Sequence, residues 1–241
     1  MLQRLKRNVK LVAHRMGVEI YFSKSWNSRD AQITYWLKKL SVGSVIDVGA
    51  NSGQFAAGLR AYGYRGEIHS FEPTSAAHKL VSRAAAHDKN WHVHPRMAIG
   101  REAGVAKIRV AANSYSSSLL PATAALTDGA TAAATVSEEE VSIFRLDDVY
   151  EIPSAPFMLK IDTEGFEKSV LEGAPKILSQ ASLACVEMQL VPLYEGASTF
   201  SELYALISTA GMQCIGIHSG YARDDVGKVL CVDGIFVREP A

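Results

Sequence analysis

The chain has 241 residues, with 25 Lys and Arg against 25 Asp and Glu, which fits one globular domain or at most two small ones. A hydrophobic content of 48% with 21% charged residues excludes collagen, coiled coil and wholesale disorder. The formal net charge of zero argues against a dedicated nucleic-acid-binding protein. Cys185, Cys214 and Cys231 form no C-x-x-C pair, so we predict neither a disulfide framework nor a zinc site, and we expect a cytoplasmic protein.

The first 40 residues form a basic segment, with nine basic and two acidic side chains, on a body that is acidic overall. Within it, apolar residues recur at steps of three and four and predict an amphipathic helix; they are Leu2, Leu5, Val9, Val12 and Met16. Basic residues interrupt every apolar run, so the segment is neither a signal peptide nor a membrane span. The stripe either packs on the body or, in residues 1–18, approaches an anionic membrane or a lipid-linked substrate.

From residue 41 onward, short apolar runs alternate with helical patterns. The expected strands are residues 44–48, 67–71, 91–93, 105–111, 141–144, 157–161, 183–188, 214–218 and 229–237, and the expected helices are residues 54–61, 75–86, 166–178 and 200–210. This alternation predicts an α/β fold with a mostly parallel seven-stranded sheet and helices on both faces. The last two runs lack a helix between them, which predicts a hairpin and an antiparallel edge strand.

The domain organisation expected from these patterns is an amino-terminal helical extension over residues 1–40 and a single domain over residues 41–241. Within the domain, residues 113–140 are rich in Ser, Thr and Ala and end in three glutamates. This composition predicts a long loop that is too poor in large apolar groups to pack a core.

In open parallel sheets the ligand lies beyond the carboxyl ends of the strands, so the turn after the first expected strand carries most information. Gly49 and Gly53 permit a tight turn and a close backbone approach to a ligand, and Asn51 tolerates left-handed dihedrals. The dinucleotide fingerprint G-x-G-x-x-G is absent, and Asp47 stands just before the first glycine. Glu72, after the second strand, is placed to take a pair of ribose hydroxyls. We therefore expect an adenosine with a positively charged, unphosphorylated tail.

These motifs, with others further along, resemble the ordered motif set of the FkbM family of S-adenosylmethionine-dependent methyltransferases. The resemblance covers the chain from about residue 42 and rests on DVGANSGQF at 47–55, EP at 72–73, AIG at 98–100, SSL at 117–119, RLDD at 145–148, LKIDTEGFE at 159–167, VLEGA at 170–174 and VE at 186–187. It implies a class I methyltransferase (Rossmann-like) fold and O-methylation of a hydroxyl, commonly on sugars or polyketide-type natural products. It leaves the acceptor open.

The resemblance also implies a cofactor site. Asp47, Gly49, Asn51 and Gly53 would hold the amino-acid end and sulfonium of S-adenosylmethionine, Glu72 would hold the ribose, and the backbone at Met97 and Ala98 would meet the adenine. Further residues expected at this site are Ala50, Phe55, Pro73 and Ser118.

Chemistry requires a positioned acceptor oxygen and a base for its proton. Asp162 and Glu164 follow one expected strand and Glu187 ends the next, so we expect the three carboxylates to lie together at the carboxyl-end edge of the sheet. Helix capping is the structural alternative for Asp162 and Glu164. The same carboxylates could hold Mg²⁺, and His218 is a further candidate base, or else an exposed loop residue. Lys160 interrupts an apolar strand, so it must pair with one of these acids or reach the site.

We therefore expect an O-methyltransferase acting on a sugar of a bacterial cell-envelope glycolipid or of a glycosylated natural product, without a nucleic-acid partner. Two alternatives remain at this stage. One is a protein that binds adenosylmethionine without catalysis, and the other is a nicotinamide-dependent oxidoreductase, which the missing third glycine disfavours.

Overall fold

A computed structural model describes residues 2–16, 28–154, 156–223 and 226–238. Its strands are β1 (Ser44–Val48), β2 (Glu67–Phe71), β3 (Trp91–Val93), β4 (Ala98–Ile99), β5 (Gly104–Ala111), β6 (Thr135–Phe144), β7 (Phe157–Ile161), β8 (Leu183–Gln189), β9 (Gln213–Ser219), β10 (Ala222–Arg223), β11 (Lys228–Val229) and β12 (Cys231–Val237). Its α-helices are α1 (Leu2–Arg15), α2 (Arg29–Lys39), α3 (Gln54–Ala61), α4 (Ser75–Ala85), α5 (Ala124–Thr127), α6 (Leu146–Val149), α7 (Glu167–Glu172), α8 (Pro175–Gln180) and α9 (Phe200–Thr209).

Seven strands form the central sheet, in the order β3-β2-β1-β7-β8-β12-β9. The first five pair in parallel, and β12 runs antiparallel to both β8 and β9. The predicted mixed α/β sheet is confirmed, with one correction. The antiparallel strand is not at the edge, because β12 returns through a short connection from β9 and inserts between β9 and β8.

Helices cover both faces of this sheet, which is why β1 and β7 are buried along their whole length. One face packs Ile46 and Leu159 against α7, α8 and α9, and the other packs Val45 and Met158 against α2, α3 and α4. Burying a large aliphatic side chain contributes roughly 1.5–3 kcal/mol. These two apolar layers fix the sheet that carries the site.

Helix α2 belongs to this core, although the sequence pattern assigned it to an amino-terminal extension. Ile33 and Leu37 are buried against the sheet, and the Gln32 side-chain amide donates to the backbone oxygen of Ile215 on β9 at 2.9 Å. The domain therefore includes α2. The overall basic charge of residues 1–40 concealed this, because the charge average mixed two different helices.

The helix expected over residues 166–178 is two helices, α7 and α8, separated at Gly173 and Ala174. Pro175 opens α8, where its missing N–H costs nothing. The Asp147 carboxylate accepts from the backbone N–H groups of Lys176 and Ile177, at 2.9 and 3.1 Å, and so caps the second helix.

Residues 113–140 are not one long loop. Strand β6 begins at Thr135 and pairs with β5, and together with β4 they form a second, three-stranded sheet. The acidic run fits a strand because Glu138 faces Lys107 and Arg109 across the pair. Leu126 and other residues of the segment also pack a small cluster against Tyr194, contrary to the expectation from composition.

Candidate active site

A cavity of about 330 Å³ opens at the carboxyl ends of β1, β2 and β7. Eleven of the predicted site residues line it; they are Gly49, Ala50, Asn51, Phe55, Glu72, Pro73, Met97, Ala98, Ser118, Asp162 and Glu164. Four other predicted residues lie outside the lining, namely Asp47, Gly53, Glu187 and His218. The volume lies in the usual range of small-ligand pockets.

The turn after β1 brings backbone to the cavity wall. Gly49 has φ +78°, and a Cβ there would overlap the backbone oxygen of Asp162, so no other residue fits. Asn51 also has a positive φ, +48°. Gly53, at φ +92°, packs against the ring of Trp91 and opens α3 instead of facing the cavity, which corrects its predicted role as a direct contact.

Glu72 lies at the cavity wall and joins two loops. One carboxylate oxygen accepts from the backbone N–H of Asn51 at 2.8 Å, and the other accepts from the N–H and the hydroxyl of Thr74 at 2.8 and 2.6 Å. Burial raises the pKa of Glu72, against the bonds from Thr74 and Asn51 that lower it. A carboxylate offers about four acceptor positions, and one remains after these three bonds. This matches the predicted contact with a ribose hydroxyl.

Asp47 does not touch the cavity, which corrects its predicted contact with the amino-acid end of the cofactor. It is fully buried, 3.0 Å from the Lys160 ammonium, which also lies 3.6 Å from Asp162 and donates to the backbone oxygen of Gly49 at 2.7 Å. Burial disfavours this ammonium, but the charges of Asp47 and Asp162 outweigh it and raise the pKa of Lys160. The prediction that Lys160 pairs with an acid is confirmed, and the pair holds the Gly49 turn.

Three carboxylates converge beside the cavity, as the sequence predicted. One oxygen each from Asp162, Glu164 and Glu187 lies within 4.8 Å of the other two. Burial and the charge of Asp162 raise the pKa of Glu164 well above its usual range, and burial and the charge of Glu164 do the same for Glu187. The cluster therefore attracts protons or a cation.

Glu164 stands on a strained turn that its neighbours hold in place. Its φ is +55°, a conformation that non-glycine residues rarely adopt. The Ser118 hydroxyl donates to its backbone oxygen at 2.6 Å, and the Tyr194 hydroxyl donates to its carboxylate at 2.7 Å. The buried Glu167 carboxylate accepts from the N–H groups of Thr163 and Gly165, and so fixes the turn from below. Glu167, and not Glu164, therefore caps this turn, and the Glu164 side chain lies at the cavity.

Glu187 and His218 occupy one row across the end of the sheet, where Asp233 on β12 pairs with both. With strands about 4.8 Å apart, His218 lies two strands, about 10 Å, from Glu187. Its Nε2 is 2.7 Å from the Gln32 side-chain oxygen of α2. The structure thus keeps His218 away from the cavity, and its predicted role as the base is corrected to a contact with α2.

Sequence reasoning missed three residues at the site. Arg29 and Asp30 line the cavity from α2, and Arg29 forms an ion pair with Asp233 at 2.8 Å. Both were missed because they lie within residues 1–40, which the sequence pattern assigned to an amino-terminal extension. Tyr194 follows β8 by five residues, and the rule that directs attention to loops after parallel strands could have found it.

The cavity suits an adenosine with a charged amino-acid tail. Glu72 offers a ribose acceptor, the Gly49 turn allows close approach, and Arg29 and Lys160 supply positive charge for a carboxylate. Asp30 and Asp162 supply negative charge for an ammonium or sulfonium group. These residues fit S-adenosylmethionine better than a pyrophosphate ligand, which carries no cation.

Comparison with solved structures finds proteins of similar fold. The magnesium protoporphyrin IX methyltransferase of Synechocystis PCC 6803, solved with bound SAM, is similar in structure, with a TM-score of 0.50 and 8% identity over 87% of this chain and 78% of that one. TehB from Haemophilus influenzae gives a TM-score of 0.49 and 10% identity, over 91% of this chain and 66% of that one. A comparison with curated proteins finds no match.

The structural comparison shows only the fold, whereas the sequence comparison identifies the family. Residues 47–214, more than half of the chain, match the family described as the methyltransferase FkbM domain. This range includes the Gly49 turn, Glu72 and the carboxylate cluster. The central sheet, with its order and its antiparallel β12, is that of the class I methyltransferases. The chain therefore belongs to the FkbM methyltransferase family and is an S-adenosylmethionine-dependent methyltransferase.

Proposed function

We propose that this enzyme is an O-methyltransferase whose acceptor is a hydroxyl of a sugar in a bacterial cell-envelope glycolipid. The observation that carries the proposal is the convergence of Asp162, Glu164 and Glu187 beside the cofactor cavity. An alcohol must lose its proton during methylation, and carboxylates can accept that proton. Several carboxylate oxygens at one point also match a polyol, because vicinal hydroxyls are hydrogen-bond donors.

Glu164 is the carboxylate placed best to act as the base. It lines the cavity, and burial and the charge of Asp162 raise its pKa, so it binds a proton more strongly than an ordinary glutamate does. The bond from Tyr194 and the strained turn hold its carboxylate in one orientation. S-adenosylmethionine, when bound, would supply the methyl group and leave as S-adenosylhomocysteine when its methyl–sulfur bond breaks. The Glu164 carboxylate accepts the proton that the attacking hydroxyl loses.

The other two carboxylates have positioning roles in this account. Asp162 also lines the cavity, and its ion pair with Lys160 fixes it against the Gly49 turn. From there it accepts a hydrogen bond from an acceptor hydroxyl and orients the attacking oxygen. Glu187 lies behind these two groups, accepts from the Cys231 thiol at 3.1 Å and adds negative charge that favours a proton on the cluster.

Mg²⁺ is the competing explanation of the same cluster. Three carboxylate oxygens are ligands that Mg²⁺ accepts, and a cation would relieve their mutual repulsion. The Lys160 ammonium already offsets part of this charge and the Tyr194 hydroxyl donates a hydrogen bond to Glu164, so we favour proton transfer without the metal. Activity that is lost in EDTA and restored by Mg²⁺ would reverse this preference.

The experiment follows a deuterated methyl group from S-adenosylmethionine into a glycolipid extract. We expect one labelled methyl on a sugar oxygen, located by mass spectrometry of the released glycans. Label on nitrogen or carbon, or in nucleic acid only, would contradict the proposal. Asp162→Asn and Glu164→Gln should lower transfer, whereas Glu195→Gln, an exposed acid after Tyr194, serves as the matched control and should not.

A further inference from the structure

Helix α1 presents an apolar face that its own domain does not cover. Leu5, Val9, Val12 and Met16 lie on one face of the helix and are 60%, 41%, 55% and 69% exposed. Their spacing makes a stripe about 16 Å long, since each helical residue rises 1.5 Å. Of this helix, Ala13 is buried, so α1 contacts the body through a different part of its surface. The interpretation in which the stripe packs on the body is thereby corrected.

The charge around this stripe has one sign. Residues 1–18 contain five Lys and Arg and no Asp or Glu. Arg7 is exposed, as is the polar Asn8 next to it. A helix with exposed apolar side chains and an excess of basic residues lies in the headgroup region of a membrane, with its apolar face inserted and its cations against anionic lipid.

We propose that α1 is a membrane-surface helix that docks the enzyme on an anionic bilayer. No helix in the described part of the chain is long and apolar enough to span a membrane, so α1 would lie along the surface. This inference goes beyond the proposed function and does not depend on the identity of the acceptor.

A second copy of the chain is the alternative occupant, because the body is acidic. Such a partner would need an apolar patch to receive the stripe. The other large apolar side chains that are exposed in the described residues are spread over different elements, such as Tyr62 after α3, Leu80 on α4 and Val105 on β5. Lipid therefore matches the stripe better than this surface does.

The test is binding of the full-length protein to vesicles of phosphatidylcholine alone or with phosphatidylglycerol, at low and high salt, without cofactor or acceptor. We expect binding to the anionic vesicles only, weakened by salt. The double variant Val9→Ser and Val12→Ser should bind these vesicles at least about tenfold more weakly than wild type does. The matched control, Val105→Ser and Val136→Ser, alters two valines that are 65% and 63% exposed on the other sheet and should bind as wild type does.

Each other outcome would overturn the proposal. Equal loss in both double variants would mean that binding does not use α1. No vesicle binding, combined with a dimer that Val9→Ser and Val12→Ser dissociate in sedimentation, would identify a second copy as the partner. If neither vesicle binding nor self-association is observed, the stripe is simply exposed to water and the proposal is wrong. Because no methyl transfer is measured, failure here is distinguishable from failure of the proposed acceptor.

Discussion

Tyr194→Phe isolates the contact that sets the proton affinity of the proposed base. The Tyr194 hydroxyl is the donor to the Glu164 carboxylate, at 2.7 Å, and it lowers the pKa that burial and Asp162 raise. A hydrogen bond to a charged group contributes about 1.5–3 kcal/mol. Losing this bond removes that stabilisation from the charged carboxylate, so the pKa of Glu164 should rise further. The phenyl ring preserves the packing of this buried side chain.

The measurement is a ¹³C NMR titration of the glutamate carboxyl groups, with the Glu164 signal assigned by its absence in Glu164→Gln. Methyl transfer should follow the same change, since a base works only when unprotonated, and the acid limb of activity should move to higher pH. Tyr64→Phe is the matched control, because the buried Tyr64 donates to a backbone oxygen of Glu67. An identical Glu164 titration in Tyr194→Phe and wild type would refute the reasoning.

Three further predictions concern the cofactor site and stability. Glu72→Gln should weaken S-adenosylhomocysteine binding by about 1–3 kcal/mol in calorimetry, and unchanged affinity would remove the ribose assignment. Gly49→Ala should abolish binding because its Cβ overlaps Asp162, whereas Gly104→Ala, where a Cβ meets nothing within 4 Å, should bind normally; equal affinities would contradict the turn geometry. Burial and two neighbouring imidazoles lower the pKa of His94 to about 4, so stability should fall as pH drops from 6.5 to about 4, where only the unfolded chain gains the proton. In His94→Phe the free energy of unfolding, measured with urea, should fall less between these pH values, by at most about 3 kcal/mol and by less than that because the ring is only half-buried. An equally large fall in the variant and in wild type would contradict this prediction.

The central sheet was predictable because its strands are short apolar runs separated by helical periodicity. The strands at 44–48, 67–71, 91–93 and 157–161 have the bounds that the pattern predicted. Composition gave the wrong prediction at β6, where the exposed Glu138 pairs with Lys107 and Arg109 on β5, a contact between strands that no local sequence pattern contains. Composition also gave the wrong prediction at α2, because the net charge of residues 1–40 reflects the exposed side chains and not the few buried ones that pack on the sheet.

The cofactor site was predictable to the extent that backbone geometry dictates residue type. Gly49 and Glu72 follow from the turn and the strand order, and both line the cavity. Asp47 stands two residues before Gly49, but it lies inside β1, where its ion pair with Lys160 keeps its side chain fully buried. Tyr194 carries no motif, since its role depends on a loop folding back onto Glu164, which only the tertiary structure shows.

Single-turnover methyl transfer by Glu164→Gln, with cofactor affinity measured on the same preparation, tests the central claim most directly. The account predicts a rate about 10²–10⁴-fold below wild type, because the amide keeps the shape of the side chain but cannot accept the hydroxyl proton. Cofactor affinity should stay within about twofold, the pattern of a group that acts on the way to the transition state. A wild-type rate, or a loss of rate matched by an equal loss of affinity, would contradict the assignment of Glu164 as the base.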